Sequence, residues 1–158
     1  MKQPRMRIYY VLAAVLGVLA LILGVIPLQI RAQLGPVPIV VVLLAAVTAF
    51  LAGRTAKQAG LGPVKAGAMV GLIYGLLGGI GILLAPHLTE ADLKKQLQKA
   101  HRALPPAANL HTVVAASNSM LFRGGSLVVL VVIAVVVGLL IALVGGATAK
   151  SPGQAGSI

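Results

Sequence analysis

Carboxylates are almost missing from this chain: Glu90 and Asp92 are the two acidic side chains in 158 residues. Paired-carboxylate catalysis and hard-cation binding need several converging carboxylates, so both lack raw material. Cysteine is absent altogether. That excludes disulfides, thiolate metal sites, redox pairs and a cysteine nucleophile, and leaves the redox compartment undetermined. Charge of any sign is scarce, at 9% of residues, where soluble domains carry roughly a quarter. With 59% hydrophobic residues and a mean hydropathy of +1.03, the chain holds more apolar surface than a soluble fold of this size could bury.

What charge there is has one sign, +11 overall. In a soluble protein this would point to nucleic acid. Here the Lys and Arg residues cluster between long apolar runs, which fits anchoring at lipid head groups and not a nucleic-acid face. Four runs are long enough to cross about 30 Å of hydrocarbon as helices. They lie at about 8–30, 37–55, 64–86 and 126–149. The first follows Lys2, Arg5 and Arg7 and is too long for the apolar core of a signal peptide. Gly35, Pro36 and Pro38 mark a tight turn before the second run, and Pro63 starts the third.

The third run organises the rest. Gly67, Gly71, Gly75 and Gly79 recur every four residues, just over one helical turn, and so form a groove without side chains. In lipid, where apolar burial between helices gains little, small residues and close backbone approach drive association. The fourth run repeats the spacing with Ala134, Gly138, Ala142 and Gly146 and the second with Ala45, Ala49 and Gly53, while Ala13, Gly17, Ala20 and Gly24 place small residues on one face of the first.

Between spans three and four lies a different kind of segment, at about 89–104. Thr89 and Asp92 form a capping-box-like start, acids precede bases, and Leu93, Leu97, Ala100 and Leu104 share a face. The expectation is an amphipathic helix with Lys94, Lys95, Lys99 and Arg102 at the membrane surface. Residues 107–122 are too polar and too short for a span, and are open between an interfacial helix, a re-entrant segment and a loop. Residues 49–57 (AFLAGRTAK) align with 142–150 (ALVGGATAK), so the spans read as two repeated hairpins in parallel. The fold class is therefore all-α: one polytopic membrane domain of four transmembrane helices with one amphipathic helix inserted. The face bearing the N-terminus would carry Lys2, Arg5, Arg7, Arg54, Lys57, Lys65 and Lys150, against Arg31, Lys94, Lys95, Lys99, Arg102 and Arg123 on the other. The first helix dominates such counts, which places both termini in the cytoplasm.

No motif carries catalysis. His87, His101 and His111 lack zinc-site spacing, and Ser117 and Ser119 near His111 have no acid to orient the histidine. The glycines follow no strand and make neither a dinucleotide fingerprint nor a phosphate loop. The span interiors hold no Asp, Glu, His or Arg, which argues against a proton-coupled transporter. Tyr74 is the most polar side chain of span three, and its hydroxyl is expected to hydrogen-bond across helices. Gly53-Arg54-Thr55-Ala56-Lys57-Gln58-Ala59-Gly60 followed by the glycine-rich span resembles small four-helix membrane proteins of uncharacterised prokaryotic families, in which a Gly-Arg-x-Ala-Gly-like turn separates two hairpins. The likeness covers the four spans as a pattern, departs from it at Lys57 and Gln58 and over 89–122, and implies an architecture in a prokaryotic plasma membrane with no activity attached. The functional expectation is a non-enzymatic subunit without cofactor or metal. Its partners would be lipids and either copies of itself or other membrane subunits, met through small-residue grooves. A small channel or transporter is the alternative.

Overall fold

The computed structural model describes residues 4–99 and 107–149, all helical apart from turns, with no strand among them. Seven helices follow in order: α1 (Pro4–Val25), α2 (Leu28–Gln33), α3 (Val37–Gln58), α4 (Pro63–Leu84), α5 (Glu90–Lys99), α6 (Ala107–Asn118) and α7 (Met120–Ala147). Four of them, α1, α3, α4 and α7, are long and apolar enough to cross a membrane. At 1.5 Å per residue, a 22-residue helix such as α4 is about 33 Å long, matching the hydrocarbon core. The spans alternate in direction. Consequently α1 and α4 start at one end of the bundle, called here the near end, and finish at the far end, where α5 and α6 lie.

The turns show why the chain reverses where it does. After α3, Gly60 adopts φ +74°, its N–H bonds to the Lys57 carbonyl (3.0 Å) and the Leu61 N–H to the Ala56 carbonyl (2.8 Å). This is a Schellman closure, which a residue with a Cβ would strain. Pro63 then occupies the first turn of α4, where a missing N–H costs nothing.

Boundaries differ from the expected ones in three places. The first run, read through about residue 30, stops as a helix at Val25 because Pro27 is extended (φ −53°, ψ 143°) and cannot donate; the short α2 follows. Span four, read from about residue 126, starts at Met120, where the Ser119 hydroxyl caps the helix by accepting from the Phe122 N–H at 3.2 Å. Residues 107–118 form the helix α6, anchored by Leu110, which is 2% exposed. The amphipathic segment is helical over Glu90–Lys99, and its start is a closed capping box. The Thr89 hydroxyl donates to Asp92 Oδ2 (2.7 Å) and accepts from the Asp92 N–H (3.2 Å). Arg102, with the rest of the expected helix to 104, lies outside the described residues, as do Lys2 and Lys150.

At the centre of the bundle is α4, which packs on α7, α1 and α3, while α3 also touches α7 and α1. The most extensive interface is that of α4 with α7. Side chains are distributed inversely to a water-soluble protein. The interior is built from Ala13, Ala49, Ala52, Ala56, Ala66 and Val70, with α4 and α7 glycines beside them, while Val11, Ile39, Leu43, Val128 and Leu140 face outward. In water that arrangement would expose a large apolar surface, whereas in lipid it is the expected one.

Candidate functional site

The expected packing residues converge on one antiparallel seam between α4 and α7. A Cβ added at Gly67 would meet the Ala142 Cβ and the Gly138 carbonyl, and one at Gly71 would meet the Ala134 carbonyl. A Cβ on Gly75 would lie 2.9 Å from that of Ala134, and one on Gly79 3.1 Å from Leu127 Cγ. From the other side, a Cβ on Gly138 would sit 2.7 Å from the Gly67 carbonyl oxygen, and one on Gly146 2.9 Å from Pro63 Cβ. At Gly67, Gly71 and Gly138 a methyl group would run into backbone, whereas at Gly79 the Leu127 side chain alone would have to give. The groove of α4 is thus filled by another helix of the same chain.

Three further contacts add to the packing. Gly53 of α3 would clash with the Ala142 carbonyl if it bore a Cβ, so α3, α4 and α7 come together around Gly53, Gly67 and Ala142 near the near end. On the opposite flank, the small face of α1 meets α4: Gly17 faces Leu77, and a Cβ on Gly24 would lie 2.8 Å from Gly81 Cα. Tyr9 and Thr55 share a hydrogen bond of 3.0 Å that ties α1 to α3.

Farther along, α3 stands off α7 and leaves a cleft of about 260 Å³ floored by α4. Ala45 and Ala49 of α3, Gly71 and Tyr74 of α4, and Ala134 and Val137 of α7 line it. Tyr74 is half-buried there. Its hydroxyl makes no hydrogen bond among the described residues, so the expected cross-helix bond is not formed. A longer, shallower groove of about 710 Å³ continues along α7 toward the far end, past Val129, Ser126, Phe122 and Ser119. Leu130 and Ile133 line both spaces.

The far end contains residues that motif reading passed over. Arg123, assigned to a loop by sequence, is 8% exposed and closes the C-terminus of α4. Its Nη1 donates to the carbonyls of Ala85 (2.8 Å) and Leu83 (3.3 Å), and its Nη2 to the Pro86 carbonyl and Asn118 Oδ1 (both 3.3 Å). Asn118 in turn grips Leu88 twice, accepting from its N–H and donating to its carbonyl, each at 2.8 Å. Arg31 does the same for α1, with Nη2 donating to the Gly24 (2.6 Å) and Ile26 (3.2 Å) carbonyls. Each cation thereby meets the negative end of a helix dipole and the unpaired carbonyls that end the helix. For Arg31 the signal in sequence was an arginine close after the end of α1. The partner carbonyls of Arg123, however, lie 37 to 40 residues away.

Lys94, Lys95 and Lys99 stand exposed on α5. No group of three or more His, Asp or Glu side chains able to hold a metal occurs among the described residues. The arrangement offers packing surfaces, a lateral cleft and a basic far-end helix, with no convergence of acid, base and nucleophile among the described residues. No protein-family model, curated protein or solved structure matches the chain.

Proposed function

We propose that this is a non-enzymatic integral membrane protein serving as an accessory or self-associating subunit, residing in a prokaryotic plasma membrane with both termini cytoplasmic. The observation that carries the reading is the inverted side-chain distribution: alanine and glycine hold the bundle together while long aliphatic faces look outward. The glycine-zipper spacing is consumed by the α4–α7 seam, so association between chains would use the outward aliphatic faces of the bundle. Acidic and histidine side chains are absent from the four spans, so nothing at membrane depth is equipped for proton transfer or bond cleavage. The paired arginine closures of α1 and α4 support the reading of two repeated hairpins. The pattern-level resemblance to small four-helix prokaryotic membrane proteins bears on the architecture and adds nothing about the role.

The test is chemical cross-linking in native vesicles followed by mass determination of the detergent-purified species. A stoichiometric assembly larger than one chain is expected. A single uncross-linked chain in both measurements would remove the proposal. A small transporter or channel is the second reading, favoured by the cleft beside Tyr74, and solute flux in proteoliposomes holding the purified protein would establish it in place of the first.

A further inference from the structure

We propose that the cleft beside Tyr74 binds a bilayer-dissolved lipophile with a neutral carbonyl at one end and a long apolar tail, the carbonyl accepting from the Tyr74 hydroxyl and the tail lying along α7. The inference requires only that the bundle spans the membrane. It is independent of whether the chain is a subunit of something larger.

Three observations combine. First, Tyr74 lies near the middle of α4 (Pro63–Leu84), at the level of the hydrocarbon core, and its hydroxyl has no hydrogen-bond partner among the described residues. An unmet hydroxyl in hydrocarbon is unfavourable, and water that would satisfy it at a protein surface is scarce at this depth. Second, Tyr74, which packs against Leu16, Val41 and Ala45, lines a cleft of about 260 Å³ whose other lining residues are aliphatic or glycine, with room for a ring or carbonyl-bearing head group. Its side walls include Val42, Ile133 and Val137, all exposed on the outer surface of the bundle, so entry is from the bilayer. Third, Leu130 and Ile133 line both this cleft and the groove that reaches Ser119 at the far end. From Ala134 to Ser119 that path is about 20 Å along the helix, suited to an extended hydrocarbon tail.

The depth selects the chemistry. Phospholipid ester carbonyls sit at the interface, about half a bilayer away from Tyr74, and a charged head group would not be admitted to the core. A neutral carbonyl can enter, and it offers the acceptor that a phenol donor lacks. A hydrocarbon chain alone would fill the groove but leave the hydroxyl unmet.

The experiment is saturation binding of radiolabelled decyl-substituted benzoquinone to the full chain in lipid nanodiscs, corrected for uptake by empty nanodiscs, with decylbenzene as the carbonyl-free control. Saturable binding at one site per chain is expected, with decylbenzene competing weakly. Tyr74→Phe removes one oxygen and keeps the ring, and should weaken quinone binding about tenfold while leaving decylbenzene unchanged. Ala45→Leu, which fills the cleft, should abolish both. Absence of saturable binding, equal affinity for the two probes, or a Tyr74→Phe protein that binds the quinone as well as the native chain would each overturn the proposal.

Discussion

Arg123 shows what one side chain does at the rim of the bundle. It carries a full charge at 8% exposure with no carboxylate beside it, and is balanced by the carbonyls of Leu83, Ala85 and Pro86 at the end of α4. Replacing it by methionine keeps the apolar stem and removes every donor. The carbonyls are then left to whatever water reaches them, and the expected loss is about 2 kcal/mol of stability. Denaturant titration of the detergent-solubilised variant would measure it. Arg123→Lys should recover only part, because an ammonium cannot span three carbonyls and Asn118 with a planar fork. If methionine left the unfolding midpoint where it is, the closure would be decoration. Sequence reading counted this residue as a loop charge because its partners become visible only once α4 and α7 are folded against each other. The same holds for the Asn118 grip on Leu88, 30 residues away.

For whole helices, spacing and partner are separate pieces of information. A small residue every fourth position marks one face of α4 as smooth, and that much can be read from Gly67, Gly71, Gly75 and Gly79 alone. Nothing in the interval says whether the face is filled by a second chain, a lipid or α7. The folded chain puts the Ala134 carbonyl against Gly71, so adding a single methyl there must push the two helices apart. Gly71→Ala should therefore destabilise the bundle by about 1–3 kcal/mol, as overpacking in a dense interior does. Gly125 is the internal control. It lies in α7 with nothing within 4 Å of an added Cβ, so Gly125→Ala should stabilise by roughly 0.5–1 kcal/mol through helix propensity. Opposite signs from the same chemical change, read as unfolding midpoints side by side, test the seam and not merely the helices. The existence of the long helices was legible from run length and composition. The start of α4 was legible from Pro63, whereas the stop of α1 before Pro27 was not, since the apolar run continues to Ile30, and neither was the start of α7 after Ser119, six residues early, since a serine after a polar stretch has no single meaning.

Across the whole molecule the open question is which end of the bundle faces the cytoplasm. Thirteen basic residues divide seven to six between the two ends, too even a split for a simple count. The weights are unequal, however, because orientation is set mainly by the first helix and by charges close to its ends. Lys2 precedes α1 and Arg5 and Arg7 lie in its first turn, whereas Arg31 is the one basic residue between α1 and α3, and it is bound to the carbonyls of Gly24 and Ile26 at the end of α1 itself. At the far end the lysines of α5 also share their helix with Glu90 and Asp92, while at the near end the C-terminal part of α3 and the first turn of α4 carry Arg54, Lys57 and Lys65 with no acid at all. The near end should therefore be cytoplasmic. A chain without cysteine makes the measurement clean, since any introduced thiol is the sole reporter. Lys94→Cys and Lys57→Cys change exposed positions on opposite ends of the bundle, outside its packed interior. In intact cells a membrane-impermeant maleimide should label Lys94→Cys and spare Lys57→Cys, and permeabilisation should make both reactive. The reverse pattern would invert the bundle and place the basic α5 helix against the anionic cytoplasmic leaflet, where it would be drawn to the lipid surface instead of facing the exterior.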